Sequence, residues 1–171
     1  MSPETAVTYL YSEDSIADDD PNNPLLDAEG AAEAERHKAR ITVEMLHAET
    51  PSGMPHHELR LKVDAIVMLM RNLDVSAGLV NGLRLKVVSV SRFLVRARAI
   101  SGGANIRGQV IDFTRIDFEG DLEATVRMKR TQFPLRLAFA ITINKSQGMT
   151  LKKVSLSISV TGRYRCLLLH K

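Results

Sequence analysis

Between residues 59 and 113 apolar side chains recur at every second position in short runs, and this period constrains the fold more than any other feature. Leu59, Leu61 and Val63 alternate with Arg60 and Lys62, the pattern of a strand with one wet face. Ala65 to Met70 is a continuous apolar run of strand length, as expected of a strand buried on both faces. Asn81-Gly82 marks a turn, because both residues tolerate positive φ. Three further short strands follow at Leu83–Val90, Phe93–Ile100 and Gln109–Phe113, separated by turns at Ser91 and Ser101-Gly102-Gly103. Val95, Ala97 and Ala99 face one way and Arg96 and Arg98 the other. Strands this short and this closely spaced predict a small barrel or a compact meander.

Outside that region the signals differ. Residues 12–36 are rich in Asp, Glu, Ala, Pro and Asn, with Ile16, Leu25 and Leu26 the main large apolar residues, too few to order the segment by burial. Residues 28–38 could form a short Ala/Glu helix with no apolar stripe to dock it, and Thr50-Pro51-Ser52-Gly53-Met54-Pro55 reads as irregular turn structure. For Leu135–Asn144 periodicity does not separate helix from buried strand. Pro134 at a first helical position favours a helix and Gly148 a helix end, so the reading is helix, polar loop, then a strand over Val154–Val160. No internal repeat is visible.

Composition narrows the class. Hydrophobic residues at 44% and charged residues at 25% fit a globular chain, and 5% aromatics with no Trp imply a mainly aliphatic core. The longest apolar run, Leu137 to Ile143, is far shorter than a membrane span, and no secretory leader is evident, so no membrane partner is expected. One cysteine, Cys166, excludes an internal disulfide and a cysteine-cluster zinc site and points to a reducing, intracellular setting. Nothing in the sequence supplies Cys166 with a base, so an inert thiol is expected. His56-His57 with Glu58 does not make a metal site, because adjacent residues point apart and no further ligand is suitably spaced. The net charge of +3 conceals a division: residues 1–35 hold ten acids and no Lys or Arg, and the rest holds all 23 Lys and Arg against ten acids. Such asymmetry fits a polyanion-binding body with an acidic arm, and equally a solvated surface with a flexible leader.

Thr142-Ile143-Asn144-Lys145-Ser146-Gln147-Gly148 concentrates hydrogen-bonding groups at the end of an apolar element. Lys145 offers charge, Thr142 and Ser146 offer hydroxyls, and Gly148 lets a backbone N–H approach a phosphate closely. By spacing alone a capped helix end fits as well. In its wider context, Met128 to Leu151, including Gln132-Phe133-Pro134-Leu135-Arg136-Leu137-Ala138-Phe139-Ala140, the segment resembles motif V of Pif-type superfamily-one DNA helicases, the Helitron transposon version especially. Thr50 to Val63, Ala65 to Leu73, Gly78 to Gly82 and Phe113-Thr114-Arg115-Ile116 continue the likeness in order, over most of residues 41–158.

The resemblance implies an α/β fold: a partial RecA-like second motor domain over 41–82 and 121–160, a small inserted Src-homology-type β-barrel over 83–120, an acidic disordered segment over 1–40 and a divergent tail over 161–171. It implies single-stranded DNA as partner, contacted by Thr142, Asn144, Lys145, Ser146, Gln147 and Gly148. Asn144 stands where the family often has His. Asn72, Asn81 and Gly82 would shape the junction between motor domain and barrel or be ordinary turn residues. Arg127, Lys129, Arg130 and Arg136 would form a basic face beside the motif, with Lys129 and Arg130 near the DNA. Asp64 stands where many relatives have Gly, so an adjusted backbone is expected there. The complete family member uses ATP and Mg for five-prime to three-prime unwinding in repair, recombination, telomere maintenance or transposon replication. This chain has no G-x-x-x-x-G-K-[ST] and no magnesium-holding acidic pair, and neither Arg163 nor Arg165 sits in an arginine-finger motif. The reading is therefore a helicase part that binds DNA, holds no cofactor itself and would need a separate ATP-binding helicase domain for turnover, in a nucleus or mitochondrion by family likeness. The alternatives are a stand-alone DNA- or protein-binding barrel module and a non-functional gene fragment.

Overall fold

The computed structural model describes residues 6–17, 35–36, 38–123, 126–142, 155–158 and 164–167. Their elements run β1 (Thr8–Tyr11), β2 (Glu13–Ile16), α1 (Val43–Ala48), β3 (Glu58–Leu61), β4 (Ile66–Leu69), β5 (Arg84–Val90), β6 (Val95–Ala99) and β7 (Val110–Phe113). Then follow β8 (Ile116–Glu123), β9 (Val126–Gln132), β10 (Leu135–Leu137), β11 (Ala140–Thr142), β12 (Ser155–Ile158) and β13 (Tyr164–Leu167). Antiparallel pairing builds four sheets: β1-β3, β10-β4-β5-β6-β7, β2-β9-β8 and β11-β13-β12.

The five-stranded sheet forms where the two-residue period was strongest. Val67 and Leu69 of β4, Leu85 and Val87 of β5, Ala97 and Ala99 of β6, and Leu135 of β10 turn to one face, where Phe113 and Phe133 complete a buried cluster. Each fully buried Leu, Val or Phe contributes about 1.5–3 kcal/mol relative to exposure. The turn before β5 needs Gly82 at φ +92, whose N–H donates to the Leu69 carbonyl at 2.9 Å. Asp64 adopts φ +69, the left-handed region that favours glycine, and its carboxylate reaches Lys86 Nζ at 2.8 Å. The strands expected at 83–90, 93–100 and 109–113 are β5, β6 and β7, and the sheet continues past residue 83 into β4 and across to β10.

A second apolar cluster joins Leu46 of α1, Met54 of the following loop, and Phe118 and Met128 of the β8–β9 hairpin. Thr42 caps α1 by accepting from the Met45 N–H at 3.4 Å, and Glu44 and His47 suit its two dipole ends. Gly120 lets the 51–54 loop lie on the hairpin, because a Cβ there would meet Met54 Cε and Pro51 Cβ, each at 3.1 Å.

Arg130 ties these parts together. Its side chain is fully buried on β9 and donates Nε and Nη2 to the two Asp14 carboxylate oxygens of β2 at 2.9 and 2.8 Å. The remaining donors go to the carbonyls of Leu46 at 2.7 Å, Pro55 at 2.9 Å and Glu49 at 3.1 Å. One guanidinium thus holds strand, helix and loop. Neighbouring Gln132, also fully buried, donates to the carbonyls of His57 at 3.0 Å and Leu10 at 3.3 Å and accepts from the Phe133 N–H at 2.9 Å.

Three expectations are corrected. Within the 1–40 segment expected to be disordered, Thr8–Tyr11 and Glu13–Ile16 are strands, because β3 and β9 supply hydrogen-bonding edges and Arg130 supplies Asp14 a counter-charge. Residues 18–34 lie outside the described residues. The helix expected from Pro134 is instead β10 and β11. Pro134 precedes the edge strand of its sheet, where a missing N–H costs nothing, and its carbonyl accepts from the Met70 N–H at 2.9 Å. Arg130 does not join a basic face, since it is wholly internal.

Removing one partner of this buried pair leaves an uncompensated charge. Arg130→Ala is expected to cost about 3–5 kcal/mol in urea unfolding, whereas the double replacement Asp14→Leu with Arg130→Met recovers most of it. Equal loss in the single and double variants would show that the ion pair is not what sets stability here.

Candidate nucleic-acid interface

The sequence placed the interface at residues 142–148. Thr142 ends β11, where its backbone is paired with Arg165 of β13. Asn144, Lys145, Ser146, Gln147 and Gly148 lie outside the described residues. Lys129 of β9 is partly exposed and ion-paired with Asp117 at 2.8 Å.

The junction residues are brought together. Asn72 Oδ1 accepts from the Asn81 N–H at 2.7 Å, which fixes the turn completed by Gly82. Asn81 lines a cavity of about 340 Å³ walled by residues 50–56 and floored by Met68, Met70 and Arg136. A wider cleft adjoins it and is lined by His47, His56, His57, Arg60 and Arg136 among others. The segment read as irregular turn structure therefore forms the rim of an open, polar hollow on the five-stranded sheet.

Beside that hollow the structure assembles Asp14, His47 and His57, which adjacency in sequence could not reveal. Their ligand atoms lie within 4.8 Å of one another. A cation is nonetheless poorly served. Both Asp14 oxygens already accept from Arg130, one also from Ser12 Oγ at 2.6 Å, and a fixed guanidinium charge sits 2.8 Å away. The two imidazoles stack at 3.6 Å and 18°, so their in-plane lone pairs do not converge on one point.

Asp14 and His57 of this cluster are both displaced from their ordinary titration ranges. Burial pushes the Asp14 carboxyl up, but the hydrogen bonds of Arg130 and Ser12 and the guanidinium charge outweigh it and hold the group below its ordinary value. Burial, then the neighbouring His47 and Arg130, lower His57 below its ordinary 6.5 against the opposing pull of Asp14. Neutral His57 sits with Nδ1 2.8 Å from Ser12 Oγ and 3.4 Å from Asp14 Oδ2. Both groups have depressed folded values. Each therefore contributes stability above its unfolded pKa that is lost as pH falls through the folded one. Stability is expected to decline below about pH 6.5, the His57 reference value, and again below 3.8, that of Asp14. His57→Gln should flatten the first decline in urea titrations at pH 7.5 and 5.5, and an unchanged decline would exclude His57 as its source.

Sequence reasoning missed Arg84. It is 4% exposed on β5, its Nε has no hydrogen-bond partner, and burial lowers its pKa from the ordinary value. The visible signal was its place at the start of a strand just after Asn81-Gly82, with no acid within ten residues on its C-terminal side.

Residues 44–90 match the family described as DNA helicase Pif1, 2B domain. The chain is 39% identical over 122 residues to the ATP-dependent DNA helicase PIF1 of Xenopus laevis, an alignment covering 70% of this chain and 18% of that protein. It is 31% identical over 151 residues to the ATP-dependent DNA helicase Pif1 of Bdellovibrio bacteriovorus, covering 88% of this chain and 31% of that one. The crystal structure of Pif1 helicase from Candida albicans superposes with a TM-score of 0.52 at 25% identity, over 86% of this chain and 32% of that chain. The chain thus spans less than a third of the length of each of these proteins.

Proposed function

We propose that this chain, similar to the C-terminal region of Pif-type DNA helicases, acts as the part of such a helicase that engages single-stranded DNA. The observation that carries the reading is the ordered similarity over 151 residues to a Pif1 helicase, which extends well beyond the 44–90 family match. On this reading Thr142, Lys145, Ser146 and Gln147 hold the DNA backbone through charge and hydroxyl groups, Asn144 and Gly148 contribute to the same contact, and Asn72 positions the turn at Asn81 and Gly82. Lys129, partly exposed on β9, is a further DNA-proximal cation on this reading.

The finer fold assignment belongs to the same proposal. A RecA-like second motor domain is interrupted by a small Src-homology-type barrel within 83–120, and the sheet of that barrel takes in β4 and β10 as well. ATP and Mg would be held by a separate ATP-binding helicase domain, with unwinding from five-prime to three-prime in a nucleus or mitochondrion.

The test is single-stranded DNA binding by fluorescence anisotropy. Lys145→Ala with Ser146→Ala is expected to weaken binding about ten-fold and to lower the dependence of log affinity on log salt by about 0.7, the loss of one backbone contact. Unaltered affinity and slope would remove residues 142–148 from the interface.

A further inference from the structure

The two-stranded sheet β1-β3 ends, among the described residues, in an open edge on β3. The Ser12 N–H donates to the His57 carbonyl at 2.9 Å, and beyond it Leu10 stands opposite Leu59 and Thr8 opposite Leu61. Alternate residues of an antiparallel ladder turn their N–H and C=O to the partner strand, so His57, Leu59 and Leu61 face β1. Glu58 and Arg60 therefore present theirs to the other side, where no described strand meets them. Strand β10 is likewise the outermost of its sheet. The Pro134 carbonyl accepts from Met70 and the Ala138 N–H donates to Ile66, each at 2.9 Å, so the backbone groups of Leu135 and Leu137 turn away from β4. Leu135 is wholly buried, whereas Leu137 is 41% exposed.

Both edges border the same open cleft of about 630 Å³, which β3 lines with residues 58–60 and β10 with residues 135–137. Arg136 reaches into it and into the smaller hollow behind the 50–56 loop, and has no carboxylate partner among the described residues. The outward face of β1-β3 is also bare: Tyr9 and Tyr11 are about half exposed, and the Arg60 guanidinium lies 5.5 Å from the centre of the Tyr9 ring. A sheet of two strands is marginal by itself and gains from a third.

We propose that β3 takes up an extended, acidic strand of a partner protein, laid along the cleft between β3 and β10 with a carboxylate on Arg136. Main-chain pairing at an open edge gives such a strand its affinity, and alternate side chains give it specificity. Only a polypeptide offers N–H and C=O groups at the spacing of a ladder; the backbone of a nucleic acid does not. Successive side chains of the incoming strand point to opposite faces. One set joins the face of Tyr9, Tyr11 and Arg60 and the other the face of Leu59, which calls for carboxylates alternating with aliphatic residues. The partner is a protein, so this site stands apart from residues 142–148.

The probe is a short labelled peptide alternating glutamate with valine, titrated against the full chain by fluorescence anisotropy. Arg136→Ala is expected to weaken its binding about ten-fold, the loss of one charge-assisted hydrogen bond. Arg60→Pro removes an outward N–H that β1 does not use, so it is expected to weaken binding further than Arg60→Ala, with circular dichroism verifying the fold of both. Two further peptides are N-methylated at alternate residues in opposite phase, and at least one of them is expected to lose about ten-fold in affinity. No binding by the parent peptide, parent-like binding by both N-methylated peptides, or equal binding with lysine in place of glutamate overturns the proposal, and none of these results depends on how a variant folds. Displacement of the peptide by a single-stranded oligonucleotide of equal charge assigns the cleft to nucleic acid. A dimer in sedimentation that Arg60→Pro dissolves assigns the edge to a second copy of this chain. Either result overturns the partner strand.

Discussion

The Asp14–Arg130 pair is the contact on which the arrangement of the other parts depends. It is a charge pair with no solvent exposure on either side chain, and such pairs gain little over a well-packed apolar substitute. Its value is geometric. Five donor–acceptor directions around one planar group hold β2, the end of α1 and the 49–55 loop against the β8–β9 hairpin. Apolar contacts between Leu46, Met54, Phe118 and Met128 would permit several relative placements of the same elements. The guanidinium selects one of them, and with it the wall of the hollow over Met68 and Met70.

The five-stranded sheet then divides labour between its faces. The inner face buries Val67, Leu69, Leu85, Val87, Ala97 and Ala99 and holds the strands in register. That register fixes the outer face, because a shift of one residue would move Lys86, Arg96 and Arg98 inward. A face made this way is stiff, and it sits beside a rim formed by the 50–56 loop and the Asn72–Asn81 contact. His57 links this region to the ion pair, so protonation of its ring acts on the same support.

Much of this was legible along the chain, for identifiable reasons. The strands β3 and β6 follow from alternation, since Leu59, Leu61, Val95, Ala97 and Ala99 declare an inward face by chemistry alone, and β4 follows from the continuous apolar run Ala65 to Met70. The β8–β9 hairpin was hidden because its inward positions on β9 are Val126, Met128, Arg130 and Gln132, half of them polar. A buried Arg looks like a surface residue until its partner is known, and that partner lies 116 residues away. Asp14 was equally concealed among the acids of the N-terminal segment. The 135–142 stretch misled through Pro134, which suits a first helical turn and an edge strand alike.

Sequence by itself determined the β character of residues 58–113, the apolar face of each strand there and the likeness of the chain to a Pif-type helicase region. Those properties are local: they need only the order of apolar and polar side chains, or of motif residues. Tertiary structure alone decided that Arg130 is internal, that Asp14, His47 and His57 meet, and that Arg84, Arg98 and Arg136 share one face. Each of these depends on which strands pair and in what register. Pairing is settled by the free energy of the whole core, and no short stretch of sequence contains it.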